Sequence, residues 1–142
     1  MAAPNSVTTI HPSNLATNQA IRLLFVATGV SIGATGDSTV TLPAQNVSTY
    51  AVTNVILTNA NKDISAGALA IWTGVNGTGT EIVTNATLTS QTTAAYVKAA
   101  TVVAGTLTTA LTAQTVYVKV GTAVTGGTVD IYVYGYDLSV YS

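Results

Sequence analysis

From residue 20 onward, apolar positions recur at every second residue in short runs, as in "AVTNVILT" (51–58), "TVYVKV" (115–120) and "TVDIYVYGY" (128–136). Successive side chains on a strand point to opposite faces, so this period predicts strands that each turn one face to a core. Nine runs fit: 20–28, 38–42, 51–58, 67–73, 80–88, 94–103, 106–112, 115–120 and 128–136, with Gly, Asn, Asp or Pro in most of the gaps. None reads as an amphipathic helix. The set predicts an all-β fold, an antiparallel β-sandwich of jelly-roll-like form over residues 20–142. Residues 1–19 lack any sustained period and hold two of the three prolines, which predicts an extended N-terminal arm.

The last two runs allow a register to be written. If they form a hairpin around "GTAVTGG", pairing positions whose numbers sum to 249 sets Tyr117 opposite Tyr132 and Lys119 opposite Asp130. On the other side Val120 then meets Val129, Val118 meets Ile131 and Val116 meets Val133. A slip of one residue would set tyrosine against aliphatic throughout, so side-chain sorting favours this register. The Val/Ile side is the expected core face. The tyrosine side, with Tyr117, Tyr132, Tyr134 and Tyr136, has the aromatic composition enriched at interfaces. Either a neighbouring molecule or another part of the same chain is expected to cover it.

Composition sharpens that expectation. Charged residues are 6% of the 142, against about 25% in ordinary soluble domains. Neutral polar groups, chiefly the 27 threonines, must carry the solubility, and threonine also suits a pleated surface. Charges normally guard strand edges and apolar patches against self-association, and few are present. Adhesive surfaces are therefore expected to be covered by partners in the working state. A net charge of −1 with four scattered basic residues gives no footprint for nucleic acid. No apolar run approaches a membrane span and no basic, apolar leader opens the chain, so no membrane partner is expected. Cysteine is absent, which removes disulfides and thiolate metal sites.

Motifs that carry chemistry elsewhere fail here on context. "GVSIG" places Gly29, Ser31 and Gly33 in the G-x-S-x-G pattern, but a nucleophile elbow needs a helix after the serine and a histidine downstream. Strand-like sequence follows, and the single histidine, His11, lies upstream, so no catalytic residue and no enzymatic activity are expected. Asn59, Asn61 and Asp63 offer alternating oxygens but lack the further carboxylates of a Ca²⁺ loop, and a hairpin loop is expected instead. "GVNGTGTE" (74–81) has neither the lysine nor the helix of a phosphate loop and reads as a turn. The N-x-[S/T] triplets at Asn46, Asn76 and Asn85 arise from threonine abundance. No metal and no cofactor is expected. Trp72 faces away from Leu69 and Ile71, and can be an interface anchor, a sugar-stacking platform or a core residue under a loop. Arg22, within the most apolar run, must reach solvent at an edge or find a carboxylate.

About residues 51–139 resemble a group of small β-proteins of tailed bacteriophages and prophages. The likeness lies in the loop "NANKDI", a strand ending in Trp72-Thr73, the "GTEIV" strand that follows, and the closing "YVKVGTAVTGGTVDIYVYG". It implies a head decoration, or cement, protein on the outer surface of the capsid: β-rich, often trimeric, and bridging neighbouring major capsid protein subunits with the help of an N-terminal arm. On that resemblance Ile10, His11, Pro12 and Leu15 would be arm contacts, and Tyr117, Tyr132, Tyr134, Tyr136 and Trp72 would meet the capsid or another copy. A tail or fibre module recognising a host glycan through Trp72 is the rival expectation.

Overall fold

The structure is a computed structural model that describes residues 21–139. Among the described residues nine strands form: β1 (Arg22–Ser31), β2 (Gly36–Asp37), β3 (Leu42–Pro43), β4 (Tyr50–Thr58), β5 (Ala68–Gly74), β6 (Thr78–Thr87), β7 (Lys98–Ala100), β8 (Thr115–Thr122) and β9 (Thr128–Asp137). They make two antiparallel sheets, with order β1-β9-β4-β7 in sheet A and β2-β8-β5-β6 in sheet B, where β3 also pairs with β8. The fold is an all-β antiparallel sandwich, as the alternation predicts. Its core is the set of every-second-residue aliphatics: Val116, Val118 and Val120 from β8, Val129, Ile131 and Val133 from β9, and Leu69 and Ile71 from β5, none more than 1% exposed. Tyr50 adds an aromatic centre, its ring edge-on to Phe25 at 5.0 Å and its hydroxyl donating to the Ala113 carbonyl at 2.7 Å. Burial pushes its phenol pKa well above the usual value.

β5 and β6 form the one hairpin between consecutive strands among the described residues, closed by a 3-10 turn at Val75–Gly77. Every other long connection passes from one sheet to the other. This overturns the expected hairpin of β8 and β9. β8 is held between β5 and the short β2 and β3, while β9 is held between β1 and β4, so neither has a free edge for the other. The Val/Ile faces of β8 and β9 do both meet the core, but two strands facing each other across a core satisfy that pattern as well as two strands side by side. The connection itself is anchored at the sandwich end. Val124 N–H donates to the Ile32 carbonyl and Ile32 N–H to the Gly127 carbonyl, both at 2.9 Å. Asn61 brackets the same turn, donating through Nδ2 to the Gly126 carbonyl and accepting from Thr128 N–H.

Three expected runs are reduced. The run at 38–42 keeps only Leu42 in a strand, the two-residue β3; β2 lies just before the run, both pair with β8, and Ala44 after β3 bridges to Phe25 of β1. Of 94–103, Lys98–Ala100 pairs on the edge of β4 and Val102 makes a single bridge to Val83 of β6. The run 106–112 gives a 3-10 turn at Ala104–Leu107 and a single bridge from Leu111 to Tyr50. There Thr106 Oγ1 bonds back to the Val103 carbonyl at 2.8 Å, a local alternative to a strand ladder. The Asn59–Asp63 loop also crosses between sheets, from β4 to β5, and is not a hairpin.

Candidate functional site

Both outer faces of the sandwich carry aromatic residues. On sheet A, Tyr132 of β9 lies between Val26 of β1 and Ile56 of β4, and Tyr134 between Leu23 and Asn54; Tyr136 pairs with Ala51. Cross-strand partners share a face, so these side chains form one band opposite the core. Tyr132, Tyr134, Tyr136, Leu23, Val26 and Ile56 are each partly exposed. Ile21, immediately before β1, is 52% exposed. The band holds no free charge: the outward-facing Asp130 is buried, accepting from Gly29 N–H at 2.7 Å and Asn59 Nδ2 at 2.9 Å. Gly29 makes that clasp possible from a bulge in β1, at a φ of 64° that a Cβ disfavours.

Tyr117 is elsewhere. It pairs with Trp72 on the outer face of sheet B, so the five expected interface residues split three and two between opposite sides of the molecule. The expected Lys119–Asp130 pair is likewise absent, because β8 and β9 belong to different sheets. Lys119 is exposed next to Asp37 of β2, and its Nζ donates to the Asn76 carbonyl at 3.3 Å, while Asp37 Oδ2 accepts from Asn76 N–H at 2.7 Å. Trp72 is not a core residue. It is partly exposed and lines a depression of about 270 Å³ together with Ala70, Glu81, Asn85, Lys119 and Gly121. Asn85 lies against the Gly121 backbone, where a Cβ would collide with its amide.

Arg22 meets both conditions set by its apolar surroundings: it sits on an edge strand and pairs with Asp137 at 2.7 Å. Ser31 ends β1 with its Oγ accepting from Gly33 N–H at 3.3 Å, and the short β2 follows rather than a helix. Asp63 caps its own loop through Ser65 N–H and Oγ, and both bonds hold its carboxyl below the usual range. Among the described residues no three His, Cys, Asp or Glu side chains gather as a metal site, and no helix is long and apolar enough to cross a membrane. Ile10, His11, Pro12 and Leu15, with the rest of the expected arm, lie outside the described residues.

Sequence reasoning missed three contributors. Glu81 and Gly121 pass unremarked in a β pattern, and Asn85 stands out only as a triplet that carries no weight. Their convergence depends on β5 being flanked by both β6 and β8, which no local signal reveals. Comparison of the chain with protein families, curated proteins and solved structures finds no match.

Proposed function

We propose that this chain is a structural virion protein that decorates the outside of a phage capsid and bridges neighbouring major capsid protein subunits, assembling as a trimer. The strand order β1-β9-β4-β7 against β2-β8-β5-β6 we read as a jelly roll. The observation that carries the proposal is the uncharged band on sheet A, where three tyrosines stand among Leu23, Val26 and Ile56, all partly exposed. Tyrosine supplies large contact area with few rotatable bonds and keeps a polar tip for the rim of an interface. A specific contact needs about 800 Å² per partner, and repetition over a shell multiplies modest affinities through effective concentration. The resemblance of residues 51–139 to small phage β-proteins points the same way.

The test is co-sedimentation of the purified chain with expanded heads of the parent phage, alongside its mass by light scattering. Saturable binding at a fixed ratio to the capsid protein and a trimeric mass are expected. A monomer with no affinity for heads would sink the proposal, and density on the tail in averaged micrographs of the particle would move it to the tail-module reading.

A further inference from the structure

The geometry points to a second, independent binding site: the Trp72 depression on sheet B is a subsite for a single neutral hexopyranose unit of a glycan. It faces away from the tyrosine band, across the full thickness of the sandwich, so a molecule gripped through sheet A leaves it open. The inference does not rest on where the protein sits in a virion.

Trp72 stands on the outer side of β5, with Tyr117 its direct neighbour on β8 and Glu81 on β6. A partly exposed indole offers an electron-rich face that the slightly positive C–H side of a pyranose can cover, which removes apolar surface from water on both partners. The polar walls are of three kinds, and little inside the protein occupies them. Among the described residues the Glu81 carboxylate and the Asn85 amide make no hydrogen bond or ion pair, and Lys119 spends one N–H on a 3.3 Å contact. Glu81 accepts, Lys119 donates and Asn85 does both, which suits the alternating donor and acceptor character of adjacent sugar hydroxyls.

Charge and size set the class. The lining holds one carboxylate and one ammonium, and Asp37 beside Lys119 adds a further negative charge, so an acidic sugar is disfavoured against a neutral ring. The volume of about 270 Å³ falls just short of the ~300–1,000 Å³ of drug-sized pockets, enough for one ring and too small for a cofactor. Gly121 keeps the space open. A methyl group there would meet the Asn85 amide, so the absent side chain on β8 is what lets Asn85 lie in the wall.

The chain's single tryptophan makes the test direct, since its fluorescence reports on Trp72 alone. The full chain is titrated with methyl glycosides of glucose, galactose, mannose, N-acetylglucosamine and N-acetylgalactosamine. At least one is expected to give a saturable change with Kd about 1 mM, the value that ordinary efficiency gives a ligand of this size. Glu81→Gln and Gly121→Ala are each expected to weaken it about tenfold or more, with unchanged circular dichroism. Tyr132→Asp, on the other face, is expected to leave sugar binding unchanged even where it abolishes head binding, which separates this site from the decoration proposal. Absence of saturable change for all five sugars, or equal affinity in the Glu81 and Gly121 variants, would overturn it.

Discussion

Arg22 Nη1 donates to Asp137 Oδ2 at 2.7 Å, tying the first residue of β1 to the last of β9, and Nη2 reaches the Gln45 carbonyl at 3.1 Å. Burial alone would raise the Asp137 carboxyl pKa, but hydrogen bonds from Ser139 and the neighbouring guanidinium outweigh it and hold the value below the ordinary one. A carboxyl whose folded pKa is depressed contributes stability above its unfolded pKa, about 3.9, and that contribution is lost as pH falls through the folded value. Because the Arg22 side chain is 41% exposed, solvent weakens the pair. Asp137→Asn is expected to cost about 1 kcal/mol at neutral pH. Urea denaturation checks this: the gap to the wild type should narrow steadily once the pH drops below about 4.

Asp130 is the more consequential carboxylate. It is buried on the outer side of β9 and ties down both flanking segments, accepting from the Gly29 backbone N–H in the β1 bulge and from the side-chain amide of Asn59 just past β4. Asp130→Ala leaves the Gly29 donor without a partner and is expected to cost about 1–3 kcal/mol. Lys119→Ala, at an exposed site in the other sheet, should stay within about 0.5 kcal/mol. Equal effects in a denaturant titration would contradict the separation of these two residues.

The tyrosine band should matter to assembly more than to folding. Tyr132 and Tyr134 are only partly covered by their own chain, so a charge in either place is partly solvated in the monomer but becomes costly once a partner removes the water. Tyr132→Asp and Tyr134→Asp are expected to lower oligomer mass and head binding while shifting the denaturation midpoint little. Tyr117→Asp, on sheet B, is expected to preserve both.

The period-two pattern was enough to read which side of each strand faces the core: Val116, Val118, Val120, Val129, Ile131 and Val133 are all buried. It was not enough to say which strand lies beside which. A valine row reports that a face is dry, and dryness is the same whether the covering atoms come from an adjacent strand or from the opposite sheet. Pairing depends on long-range choices, such as β9 inserting between β1 and β4, that leave no trace in the "GTAVTGG" connection. For the same reason Tyr117 could be placed on the side away from the valines and Trp72 opposite Leu69 and Ile71, with a core position under a loop still open for it, while the pairing of Trp72 with Tyr117 and Glu81 could not be read.

The split of the aromatic residues between two faces can be tested without a structure. The chain has no native cysteine, so a pair introduced by substitution has no competitor. Tyr117 and Trp72 are direct cross-strand partners, with Cβ atoms expected about 4.5–5.5 Å apart, within small backbone adjustment of disulfide geometry. Tyr117 and Tyr132 sit on the far sides of two sheets whose backbones alone are separated by about 10 Å. Tyr117→Cys combined with Trp72→Cys is therefore expected to oxidise within the monomer and to resist urea better than its reduced form. Tyr117→Cys combined with Tyr132→Cys should keep two free thiols under the same treatment, as counted by thiol titration at low protein concentration. Rapid intramolecular closure of the second pair would restore the hairpin, return all four tyrosines to one surface, and remove the basis for two separate sites.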